Sequence, residues 1–119
     1  MAKAAPSGAA NSDAAALLQA WGVSIDPELL ILALTHRSFA NEAGLSANNE
    51  RLEFLGDSVL SIIATDELYD RFPDLPVSDL ARLRSSVVSQ KPLAELARSI
   101  GLGAFILLGV GENKTGGRD

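Results

Sequence analysis

A chain of 119 residues with 47% hydrophobic and 21% charged side chains is expected to form one small soluble domain with a modest core. It has no cysteine, which excludes a disulfide framework and any thiolate metal site. Its formal net charge of −5 excludes a protein that grips a polyanion by charge alone, because nonspecific nucleic-acid affinity comes from neutralising phosphates with Lys and Arg.

Residues 1–11 are rich in Ala, Ser and Gly, carry Lys3, and lack the apolar run of a secretory signal. They are expected to be a disordered tail, with residues 12–119 as the folded part. The apolar runs at residues 61–64 and 106–110 are far too short to span a bilayer, so a cytoplasmic protein without membrane contact is expected. Residues 12–21 read as a first helix, with Ser12 or Asp13 as its cap, Leu17, Leu18 and Trp21 on one side, and Gly22 at its end. Asp26-Pro27 then opens a second helix with cap and first-turn proline in the favoured order. Its apolar residues Leu29, Leu30, Leu32, Ala33 and Leu34 run on to Thr35-His36-Arg37-Ser38. His36 is the single histidine, and at the end of an apolar helix it is read as a structural hydrogen-bonding group or a helix C-terminal charge, not a general base. Residues 41–49 read as a polar loop.

The next helix is the centre of the chain. Leu52, Leu55, Val59, Ile62 and Ile63 repeat at spacings of three and four, which is one helix face. The pattern runs to about Arg71 before Pro73 and Pro76 break it, and Asn48 or Asn49 stands in place to cap its start. Glu50, Glu53 and Asp57 collect into one stripe on the opposite side, and Leu60, Ala64 and Leu68 continue that side. The helix is therefore apolar nearly all round in its second half and is expected to be the most buried in the chain. Three carboxylates at the mouth of a buried helix repel one another and lose solvation. A hard divalent cation such as Mg²⁺ is the simplest compensator, and a solvated acidic face at a helix N-terminus is the plain alternative. Spacing alone leaves these two readings even. Phe54 falls on the acidic side, so another segment or another subunit is expected to cover it.

Ser78 is the expected cap of a further helix with Leu80, Leu83, Val87 and Val88 as its buried stripe. Arg82 and Arg84 point to water there; contact with phosphate is the sharper reading, a solvated helix face the commoner one. Residues 92–100 give a short helix closed by Gly101, and the chain continues into a glycine-rich stretch. Lys114-Thr115 does not make a phosphate-binding loop, because Asn113 stands where that motif requires Gly. The pattern predicts an all-α domain of about five helices.

The stretch Asn49-Glu50-Arg51-Leu52-Glu53-Phe54-Leu55-Gly56-Asp57-Ser58-Val59-Leu60 resembles the signature of the ribonuclease III family of double-stranded-RNA endonucleases, in its bacterial form. Ala33-Leu34-Thr35-His36-Arg37-Ser38 is similar to the family's preceding helix end, the stretch from Leu83-Arg84 through Leu93-Ala94 to the following helices, and Leu108-Gly109-Val110-Gly111-Glu112 with Gly116-Gly117-Arg118-Asp119 to the loop after them. The resemblance covers the chain from about Leu17 onward. It implies the all-α endonuclease-domain fold and a homodimer with Mg²⁺, or Mn²⁺ as a substitute, at each site. The implied reaction is hydrolysis of phosphodiester bonds in double-stranded RNA, as in rRNA and mRNA processing.

Position by position, the resemblance assigns Glu53 and Asp57 as metal-binding carboxylates, Asp57 also as the catalytic residue, and Glu50 as an acidic residue of the same valley that joins the metal set. Phe54 matches an aromatic that plugs into a socket on the partner subunit. Two departures stand against the family pattern. The second acidic motif, an Asp and a Glu three residues apart, would follow Asp119, as would the double-stranded-RNA-binding domain, and no carboxylate takes the place of the Glu expected near Val77. A fold truncated before its last helices is therefore expected. The competing expectation is a catalytically inactive ribonuclease-III-like protein kept for dimerisation or RNA scaffolding, which would not need all three carboxylates.

Overall fold

Apolar segments punctuated by Gly, Pro and capping residues divide this chain into short helices, and the computed structural model describes residues 8–119, with side chains from Ala14 onward. In order they are α1 Gly8–Trp21, α2 Pro27–Leu34, α3 Arg37–Ala43, α4 Glu50–Arg71, α5 Val77–Val87, α6 Gln90–Ser99 and α7 Val110–Lys114, with a 3-10 turn at Leu102–Phe105 before the last. Extended pairing among the described residues is limited to one parallel bridge between Thr35 and Leu107. The fold is all-α, as predicted. α1 begins at Gly8, ahead of the predicted Ser12; the rest of the expected tail, residues 1–7, lies outside the described residues.

Asp26 caps α2 through a carboxylate oxygen that accepts the Leu29 N–H at 3.2 Å, with Pro27 at the first helical position. The helix ends at Leu34 and not at Ser38, because Thr35 turns to extended backbone and pairs with Leu107. The chain then starts α3, where a helix end and a polar loop had been expected. His36 caps it: Nδ1 accepts the Ser38 N–H at 3.1 Å and lies 2.7 Å from the Ser38 hydroxyl. A backbone N–H can only donate, so Nδ1 is the acceptor and the neutral ring carries its proton on Nε2. The structural reading of His36 holds, at a helix start and not at a helix end. α3 closes on Gly44 at φ 68°, in the left-handed region open to glycine.

The core lies between α1, α2 and residues 102–107. Ala14, Leu17, Leu30, Ile31 and Leu34 are buried, with Leu18, Leu102, Phe105, Ile106 and Leu107 packed against them. Each fully buried Leu or Ile contributes about 1.5–3 kcal/mol. Hydrogen bonds fasten the late segment over this core. The Leu107 N–H donates to the Leu34 carbonyl at 2.8 Å, and the His36 N–H to the Leu107 carbonyl at 3.0 Å. Gly109 N–H donates to the Ser38 hydroxyl at 2.8 Å, and Val110 N–H to the Glu42 carboxylate at 2.9 Å. Glu42 of α3 thereby caps α7. Arg118 closes the end of the chain by donating to the Gly103 and Ile106 carbonyls at 2.6 and 2.7 Å.

α4 departs from expectation. None of its residues is buried, and Leu55, Val59, Ile62 and Ile63 are 61%, 49%, 71% and 59% exposed. Its covered side is the other one: Leu60, Ala64 and Leu68 are half-buried where α4 packs on α5. Apolar periodicity reports which faces seek cover, but not how many neighbours the chain supplies. α4 is apolar on two sides, and α5 covers one. The molecule is accordingly elongated, 52 Å along its longest axis with a radius of gyration of 16.7 Å, against about 13.5 Å for a compact domain of this length.

Gly109 is buried, and a Cβ there would lie 2.9 Å from both the Ser38 carbonyl oxygen and the Glu42 carboxylate. Gly109→Ala is expected to lower stability by about 1–3 kcal/mol, read from the urea midpoint at an unchanged slope. A midpoint equal to that of the unsubstituted protein would show that the strap over α3 can shift freely.

Candidate active site at the start of helix α4

The acidic stripe is placed by how α4 begins. Asn49 holds the cap position, yet its side chain makes no cap bond. Its Nδ2 donates to the Ala33 carbonyl at 2.9 Å, and its backbone N–H donates to the Thr35 carbonyl, also at 2.9 Å. Capping falls to Asn48, whose side-chain oxygen accepts the Glu50 N–H at 2.9 Å. Of the two candidates left open by the sequence, Asn48 is the cap. Thr35 is 2% exposed, and its hydroxyl donates to the Ile31 carbonyl at 2.6 Å, so α4 is tied to backbone that belongs to the core.

Glu50 and Glu53 occupy the first turn of α4 and Asp57 the next, on one side of the helix as predicted, and all three are exposed. The desolvation expected of them is therefore absent within this chain. The positive end of the helix dipole favours Glu50 and Glu53 in the first turn. Glu50 Oε1 lies 3.5 Å from Arg37 Nη1, reaching across from α3. Among the described residues no three His, Asp or Glu side chains gather closely enough to hold a metal ion. Glu53 and Asp57, one turn apart, offer two carboxylates on a shared side, and His36 is already engaged as a cap. By themselves these residues do not make a complete metal site.

Phe54 is 83% exposed and lines an open groove together with apolar Leu32, Leu52 and Leu55 and polar Asn48, Glu50 and Arg51. Arg82 lies 3.6 Å from Asp79 on the exposed side of α5, whereas Arg84 donates to the Thr65 hydroxyl of α4 at 3.0 Å and so bridges the two helices. Lys114 stands in the last turn of α7. Arg37 and the tether formed by Asn49 went unrecognised in the sequence. Their partners are a carboxylate on another helix and two main-chain carbonyls, and neither kind of partner leaves a spacing signal.

An all-helical chain that carries an acidic stripe on an exposed helix start is built like the nuclease domain of ribonuclease III. Two structures of that domain from Campylobacter jejuni superpose with TM-scores of 0.79 and 0.77 at 44% identity, covering 86% of this chain and 69% and 67% of theirs. The first of them describes structural flexibility in the region involved in dimer formation of that domain. The Ribonuclease-III-like family model matches residues 26–119, and the chain belongs to that family. Proteins named Ribonuclease 3 from Corynebacterium jeikeium and Leifsonia xyli are 56% and 58% identical over 92% of this chain, and one from Mycobacterium leprae is 58% identical over 87%. The chain spans 45%, 46% and 45% of their lengths. No helix among the described residues is long and apolar enough to cross a membrane.

The Arg37–Glu50 pair is open to solvent. A double-mutant cycle with Arg37→Ala and Glu50→Ala is expected to give a coupling below about 1 kcal/mol that fades as salt is raised. A coupling of about 3 kcal/mol or more would instead mark a desolvated network.

Proposed function

We propose that this chain is part of the endonuclease domain of a metal-dependent ribonuclease III, a cytoplasmic homodimer that hydrolyses phosphodiester bonds of double-stranded RNA. The observation that carries this reading is the joint presence of Glu50, Glu53 and Asp57 on the open first turns of α4, in a chain 56% identical to a Ribonuclease 3 over most of its length.

In this reading Asp57 is the catalytic carboxylate. Glu53 and Asp57 would hold Mg²⁺ through their carboxylate oxygens, with Glu50 lining the same valley, and the family resemblance expects further ligands from a second acidic pair. When bound, the ion would lower the pKa of a water and neutralise charge on the phosphate oxygens. The carboxylates' own contribution is to hold two oxygens on one side of a helix whose start is tied to the core. Substrate is chosen by shape, because the A-form major groove is too deep and narrow for side chains and leaves phosphates and 2′-hydroxyls as handles. Phe54, bare in the single chain, inserts into the partner subunit. A two-fold pair of sites would then face one duplex and cut one strand each.

The second reading, a ribonuclease-III-like scaffold without catalysis, is favoured by one observation, the lack of a three-ligand group among the described residues. Cleavage of long double-stranded RNA by the complete protein in Mg²⁺ separates the two. Asp57→Asn is expected to lower the rate by about 10²- to 10³-fold or more while RNA binding stays measurable by gel retardation. Undiminished cleavage would remove Asp57 from the chemistry, and a complete protein that binds RNA but never cuts it would establish the scaffold.

Dimerisation is tested apart from catalysis. Phe54→Ala is expected to weaken the dimer by about 2 kcal/mol or more, seen as a shift toward monomer in sedimentation velocity. An unchanged dimer at micromolar concentration would take Phe54 out of the interface.

A further inference from the structure

We propose that Asn49 is a positioning residue for the carboxylates of α4, an inference that rests on the endonuclease reading for its catalytic consequence but not for its geometry. An Asn before a helix ordinarily turns its side-chain oxygen inward to accept an N–H of the first turn. Asn49 does not: its backbone is already near-helical at φ −89° and ψ 5°, and its carboxamide reaches across to the Ala33 carbonyl. The acceptor is a main-chain oxygen, so only the NH₂ end of the side chain can serve it. An Asp of the same shape would set oxygen against oxygen. With the backbone N–H bonded to Thr35, one residue grips alternate carbonyls, Ala33 in the last turn of α2 and Thr35 just after it.

Two bonds from one residue fix both where α4 starts and how it is turned about its axis. Glu53 follows directly, its N–H donating to the Asn49 carbonyl at 2.8 Å. α5 also holds the helix farther along, and the Asn49 tether is the anchor nearest the carboxylates. α5 packs along the Leu60–Leu68 side, beyond the acidic turns, and the Arg37–Glu50 pair is exposed and long. A helix with its side chains has a radius of about 5–6 Å, so a rotation of roughly 10° carries a side-chain tip about 1 Å. A displacement of that size at a reacting group costs on the order of 100-fold in rate.

The test compares Asn49→Ala, Asn49→Asp and Asn48→Ala in the complete protein. Both Asn49 variants are expected to lose about 10- to 100-fold in kcat with KM for double-stranded RNA held within about twofold, Asp being the worse. Asn48→Ala, which removes the cap and keeps the tether, should stay within about threefold of the unsubstituted kcat. Amide hydrogen exchange is read in parallel: in Asn49→Ala, residues 49–53 should exchange about tenfold faster while the α1–α2 core is unchanged. Unaltered kcat in Asn49→Ala, an equal loss in Asn48→Ala, or failure of both Asn49 variants to fold would each overturn the proposal. Should the unsubstituted protein not cleave RNA, the endonuclease reading falls, and the exchange rates alone decide whether Asn49 sets α4.

Discussion

Everything else in this chain hangs on the short extended link after α2. Thr35 leaves the helix, buries its side chain and satisfies its hydroxyl on Ile31, and the main chain around it is then free to bond in two directions. On one side the Leu34 carbonyl and the His36 N–H pair with Leu107; on the other the Ala33 and Thr35 carbonyls receive Asn49. Buried backbone groups must be paired, so a link in the middle of the core is an obligatory junction. The late segment and the acidic helix are both referenced to it. Two residues of non-helical backbone, Thr35 and His36, together with the last turn of α2 thus bring the late segment and the start of α4 onto one junction.

α4 shows what such a junction leaves undone. It is tethered at its start and packed on α5 farther along, yet its Leu55, Val59, Ile62 and Ile63 face stands in solvent, and Phe54 stands bare on the acidic side. A contiguous apolar surface of this kind marks a contact. The acidic stripe lies on a different side, so covering the apolar face need not occlude the carboxylates. The carboxylates sit on the first two turns, and α5 covers the continuation of their side only from Leu60 onward, so the helix can be held on both faces and still leave its acidic start open.

Much of this was legible in the sequence, for physical reasons that vary by residue. Asp26-Pro27 fixed the start of α2, and Pro73 and Pro76 the end of α4, because caps and prolines act within a few residues of themselves. The grouping of Glu50, Glu53 and Asp57 followed from helical geometry alone. α3 was hidden because its cap is a histidine, outside the usual set, and because Thr35 interrupts an apolar run through a partner in residue 107, far along the chain. The burial of α4 was misjudged for a related reason: hydrophobicity is local, whereas cover comes from elsewhere. The orientation of Asn49 was likewise invisible, since a backbone carbonyl has no residue type.

The charge distribution gives the acidic edge its meaning under the proposed reaction. With a formal net charge of −5, the chain repels a phosphate backbone at long range, and several of its cations are already engaged: Arg37 with Glu50, Arg71 with Glu67, Arg82 with Asp79 and Arg118 with main-chain carbonyls. What it offers an RNA duplex is therefore negative oxygen and not grip. Such a surface becomes attractive only where divalent cations reverse its sign, which places affinity and chemistry on the same few side chains. Under the proposed reaction Glu53 and Asp57 would need angular placement more than tight local packing, and the tether at the helix start leaves their faces open.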